Sequence, residues 1–230
     1  VPVALEGFDV DIIAEGTPVL TYTSADMDGA DWVYYSTDFN TTGGLPENGE
    51  IKNGDVVLYR LADYGENNAL KVTSESKTLK VKEADRVVAK GIRFVVTSAC
   101  GNSDMKVCVR FTDGTTKEAT VNVTDWGGYP ANLVINNLGR VNRTTEAVTN
   151  YGFSMSYAEI VFDAPATVES IDFSTESSAI PYVFAAMLMG TPGETIIVDK
   201  LNEPIVNKES GRYWDSLTVS LFAEKDDDVI

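Results

Sequence analysis

The side chains of this sequence best suited to chemistry gather in two short stretches. In one, Asp125-Trp126 leads into Gly127, Gly128, Tyr129 and Pro130, with the cations Arg140 and Arg143 shortly after. A flat aromatic face stacks on the apolar face of a sugar ring while a few fixed polar groups orient the hydroxyls. Trp126, Tyr129, Arg140 and Arg143 are therefore the candidate ligand-binding set, with Trp32 as a lesser member. The competing reading is that Trp126 plugs the end of a β-core while Asp125 pairs with Arg140 or Arg143. Residue types leave both open. In the other stretch, Asp26, Asp28 and Asp31 surround Gly29. Calcium takes several oxygen ligands from a short, sharply turning loop, so these carboxylates are candidate ligands of one structural calcium. The stretch lacks the sixth-position Gly and the closing Glu of an EF-hand loop. Its other reading is a solvated turn whose Asp side chains cap backbone amides.

Histidine is absent from the 230 residues. That excludes Ser-His and Cys-His catalysis, His-based zinc sites and haem held by His. Glycoside hydrolysis needs only two carboxylates, yet nothing singles out a pair among 35 Asp and Glu. The expectation is a non-catalytic protein. Against those acids stand 18 Lys and Arg, for a net charge of −17, and residues 1–50 hold no base at all. Such a surface repels phosphate backbones and anionic headgroups, which argues against nucleic acid and membrane partners. It reads as a soluble face that resists self-association, or as an acidic end that recruits calcium. The longest apolar run, Tyr182 to Met189, falls far short of the roughly 18 residues of a membrane helix. A start at Val1 instead of Met fits a mature form whose export signal has been removed.

Placing these residues requires strands. Asp113-Gly114 between apolar alternations is a hairpin signal, because Gly supplies the positive φ of a tight turn. Beyond it, Ala119, Val121 and Val123 share one face and Thr120, Asn122 and Thr124 the other, the period of a half-buried strand. The same patterning predicts strands at 19–23, 32–36, 56–61, 69–73, 77–81, 91–98, 106–112, 119–125, 132–136, 157–163, 168–173 and 182–189. Residues 40–55 read as a long loop, and 82–90 as one short helical turn. Short strands separated by turn residues, with almost no helical stripe, predict an all-β, jelly-roll-like antiparallel β-sandwich over 1–190. Residues 191–230 read as a C-terminal extension or as edge strands of the same sandwich, at 196–199 and 217–221, ending in a charged tail. Cys108 shares its face with Lys106 and Arg110, an odd place for a thiol unless it is oxidised. A Cys100–Cys108 disulfide therefore stands beside the reading of two free thiols.

With the strands in place, several motifs are familiar. The stretch from Gly7 to Gly16, Gly44 to Gly49, Tyr64 to Leu70, Phe111 to Thr115, Thr124 to Trp126, Gly139 to Arg143 and Val183 to Ala186 together resemble non-catalytic modules of secreted bacterial surface proteins. Their order also resembles galactose-binding-like jelly rolls appended to glycoside hydrolases, over roughly residues 5–190. The resemblance implies an extracytoplasmic, carbohydrate-associated β-sandwich, commonly with one structural calcium near the first strands. The expected partner is a glycan, and the alternative is a structural, spacer or adhesion module that recognises a cell-surface protein.

Overall fold

The computed structural model describes residues 1–190; the strands expected at 196–199 and 217–221 lie outside the described residues. Among the described residues fourteen strands follow one another: β1 (Pro2–Val3), β2 (Leu5–Glu6), β3 (Ile13–Ala14), β4 (Trp32–Tyr35), β5 (Glu50–Asn53), β6 (Val56–Arg60) and β7 (Leu70–Lys71) come first. Then come β8 (Lys77–Val81), β9 (Val88–Ala99), β10 (Ser103–Phe111), β11 (Thr116–Val123), β12 (Leu133–Asn142), β13 (Val148–Thr175) and β14 (Ile180–Met189). The first sheet runs β1-β14-β9-β13-β12-β4-β3, with β7 also on β14. In the second, β11 pairs with β10, β10 and β8 both pair with β13, and β2 pairs with β8. Apart from the parallel β3–β4 pair, these strand pairings are antiparallel. The described residues form an all-β antiparallel sandwich, as expected.

β13 joins the two sheets. Its first part pairs with β12 and β9, and its last part, Val168 to Thr175, lies between β8 and β10. The register breaks between Val161 and Ala166, where extra residues including Pro165 let the strand cross over. Two separate strands expected at 157–163 and 168–173 are thus one element.

The first sheet is buried on both faces. Towards the second sheet, Phe94, Val96, Ile160, Val183 and Leu188 pack on Leu79, Val107, Val109, Ile171 and Phe173. Phe94 meets Phe173 edge-on, with ring centroids 5.3 Å apart. On the opposite face, Val95, Phe153, Tyr182 and Phe184 pack under Ile12, Ile13, Tyr34, Tyr35, Leu45 and Tyr59. The segment from Ile12 to Tyr64 therefore forms a largely irregular layer over the sheet. Double burial explains the nearly unbroken apolar run of β14.

Local departures from expectation have local causes. Residues 19–23 form a 3-10 turn at Val19–Thr21, with Thr21 N–H donating to the Pro18 carbonyl, so they make no strand. The stretch 40–55 contains β5, which forms a hairpin with β6 through Gly54 at φ +57°. The helical turn at 82–90 shrinks to 3-10 residues Glu83–Asp85, and β9 starts already at Val88. Cys100 and Cys108 are free thiols. Cys100 sits in the β9–β10 turn at φ +64°, and Cys108 lies within β10. Five extended residue steps from Ser103 to Cys108, at about 3.3 Å each, carry the pair beyond disulfide reach.

Candidate functional site

The β11–β12 connection, β4 and the turn before β4 converge at one end of the first sheet. Trp126 N–H donates to the Ser98 carbonyl at 2.7 Å, and its own carbonyl accepts from Ser154 N–H at 2.8 Å. The chain is thereby stitched between β9 and β13, and the indole turns inward, only 4% exposed. It meets Tyr34 edge-on at 5.5 Å and Phe153 at 4.9 Å. Of the two readings of Trp126, the structure has the core plug.

Asp125 pairs with neither Arg140 nor Arg143. Its carboxylate accepts from Gly101 N–H at 2.7 Å and Gly127 N–H at 2.9 Å, which pins the β9–β10 turn to the loop. Arg140 instead lies among aromatic rings, its guanidinium carbon 4.2 Å from the Trp32 centroid, 4.5 Å from Phe153 and 5.3 Å from Trp126. Asp28 faces it across 3.6 Å. Arg140 Nε is buried without a hydrogen-bond partner among the described residues. Ring faces compensate a desolvated guanidinium in part, so the cation here serves as packing. Arg143 turns elsewhere and donates to the Thr23 hydroxyl and carbonyl at 2.8 and 2.9 Å.

The structure therefore gathers Trp32, Trp126, Arg140 and Asp28 and leaves Arg143 to brace Thr23. Tyr129 stands out from the loop, 56% exposed. Phe153 and Tyr34 complete the cluster and were not singled out from sequence, although Phe153 and Met155 alternate as core residues do. Tyr151, 63% exposed on β13, is a further aromatic that the sequence reading passed over.

The three carboxylates expected to hold calcium do not converge. Asp28 Oδ1 accepts from Ala30 N–H at 2.9 Å and Trp32 N–H at 3.4 Å, and Asp26 accepts from Asp31 N–H at 3.1 Å. Asp31 accepts from the Thr144 hydroxyl at 2.9 Å. Among the described residues no group of three or more His, Cys, Asp or Glu is placed to hold a metal ion. The set closes a turn, and these residues do not fit a calcium site.

A concavity of about 530 Å³ runs over the outer face of the second sheet. Short side chains (Ser76, Cys108, Thr120, Ser174) form its floor, and Arg110 pairs with Asp172 across it at 2.7 Å. It has no aromatic ring for a sugar face to stack on, and its lining is charged and polar with a few small apolar side chains.

One carboxylate near this end is electrostatically stressed. Asp11 accepts from the Asn68 amide at 2.6 Å, and burial pushes its pKa up to about 6. A raised folded-state pKa means that its contribution to stability is full below the unfolded value near 3.8 and is lost as pH rises through about 6. Asp11→Asn keeps the acceptor oxygen and removes the charge. It is expected to be more stable than the parent at pH 7.5 by about 1 kcal/mol, a value discounted for partial solvent exposure, and to match it near pH 4. Denaturant titration of both proteins at the two pH values checks this; equal stability at pH 7.5 would refute it.

No helix among the described residues is long and apolar enough to cross a membrane. No protein-family model matches the chain, and no curated protein matches it. Among solved structures the chain is similar to one described as "CpGH89CBM32-6 produced by Clostridium perfringens", at 9% identity, covering 69% of this chain and 92% of that one. The TM-score is 0.27, and a likeness so loose specifies no function.

Proposed function

We propose that the protein is a non-catalytic, extracytoplasmic module that binds glycan at a cell surface through exposed aromatic side chains. The observation that carries this reading is the exposure of Tyr129 and Tyr151, at 56% and 63%. Both flank the place where the Trp126 loop is anchored: the Ser154 hydroxyl donates to the Gly128 carbonyl, one residue before Tyr129. Two large rings left in water beside a rigid core are suited to stack on sugar rings. Trp126 and Arg140 would then act beneath the surface, holding the loop in place. The motif resemblance to carbohydrate-associated modules supports the same reading.

The test is a broad glycan array with the purified chain, followed by titration of any hit. Tyr129→Ala and Tyr151→Ala are each expected to weaken retention at least ~10-fold while leaving the thermal transition unchanged. If no glycan is retained, or if retention ignores both substitutions, this reading is lost. The second reading is a structural or adhesion module that meets a surface protein. Burial of Trp126 favours it, because it leaves the candidate loop with a single exposed ring.

A further inference from the structure

We propose that the free edge of β11 is an interface at which two copies of this chain pair, strand against antiparallel strand, about a twofold axis. The other edges of the two sheets end in two-residue strands: β1 and β7 on β14, β3 on β4, and β2 on β8. Such short strands offer little to an incoming backbone. β12 is covered by β4 only at Val141 and Asn142, and its ladder with β13 is broken by three register shifts, so it presents no regular edge. β11 has neither protection. Its eight residues run along β10 without a shift, contain no proline, and have no second neighbour among the described residues.

Phe111 N–H donates to the Thr115 carbonyl. That bond sets the alternation, so Lys117, Ala119 and Val121 turn their amides to β10 and Thr116, Glu118, Thr120 and Asn122 turn theirs outward. Lysine often guards such an edge, but Lys117 is drawn back to Asp163 at 2.7 Å. The inner side chains Ala119 and Val121 are only partly buried against the core, so the sandwich is incompletely closed here. An added strand would cover both.

A second copy fits this edge because the strand complements itself. With Ala119 opposite Ala119, Glu118 of one copy faces Thr120 of the other and Lys117 faces Val121. No like charges meet. Lys117 and Glu118 also cancel, which makes β11 a neutral strip on a chain of net charge −17. The rest of the surface repels its copy, so pairing must strengthen as salt screens that repulsion.

Sedimentation velocity of the full chain, from about 10 to about 500 µM protein and from about 0.05 to about 0.5 M NaCl, tests the proposal. The expected result is a monomer–dimer equilibrium that tightens with salt. Thr120→Pro deletes one outward amide and spares the β10 ladder, and is expected to weaken the dimer at least ~10-fold. Hydrogen exchange of the parent protein supplies a readout independent of that variant. Outward amides of β11 should become protected as concentration rises. A monomer throughout, a dimer indifferent to a folded Thr120→Pro, or protection already complete in dilute solution would each overturn the proposal. The last would mean that the edge is covered within one chain.

Discussion

Trp126→Ala is expected to cost about 3–5 kcal/mol of stability and to lower Tm by about 10 °C. The indole is 4% exposed and touches Tyr34 and Phe153, so truncation leaves a cavity bounded by rigid rings that cannot collapse into it. A further loss comes from Arg140, which rests near three aromatic faces and would have one replaced by a void. Its Nε already lacks a partner among the described residues, and entering water would relieve that only by loosening the Trp32 side. Trp126→Phe should recover most of the loss. Thermal unfolding of both variants decides the matter. If Trp126→Ala melted with the parent protein and lost only ligand retention, the ring would be a binding platform after all.

Gly43→Ala carries the other large effect. Gly43 sits at φ +79°, and a Cβ there would lie 2.1 Å from the Asn150 carbonyl oxygen and 2.8 Å from Gly139 N. Both obstacles are backbone, so neither can rotate away. The contact is close because Gly139 N–H donates to the Gly43 carbonyl at 2.8 Å and the Tyr35 hydroxyl donates to the Thr42 carbonyl at 2.7 Å. An added methyl must lift the 40–44 loop from the sheet, at a cost of about 3 kcal/mol or more. Gly54→Ala is the control. That glycine also has positive φ, +57°, but nothing lies within 4 Å of its would-be Cβ, so only the conformational cost of about 1 kcal/mol remains. Chemical denaturation should separate the two variants clearly. Equal losses would mean that the loop is not seated as described.

How much of this could be read from the chain depended on whether the information was local. β8 was expected at Lys77–Val81 and forms there, because alternation and turn residues mark both ends. The Asp113-Gly114 hairpin formed for the same reason, with Gly114 at φ +85°. β13 reads as two strands because the alternation stops between Phe162 and Val168, around Pro165; only pairing with two sheets reveals a crossing. The site was harder. Three of the five candidate ligand-binding residues, Trp126, Arg140 and Trp32, come together, yet which faces outward depends on how residues 12–64 cover the first sheet. No periodicity within a strand encodes that covering layer. Regular alternation would put Tyr151 on the buried face with Phe153, and Gly152 at φ +103° breaks that alternation.

The crossing of β13 has a mechanical consequence. One continuous strand carries rungs from both sheets, with β9 and β12 along its first part and β8 and β10 along its last. Tension along it would load those rungs in shear on both sides at once, instead of peeling them singly. Neither sheet could then yield while the other kept its grip, and the sandwich would bear a pull as a single girder.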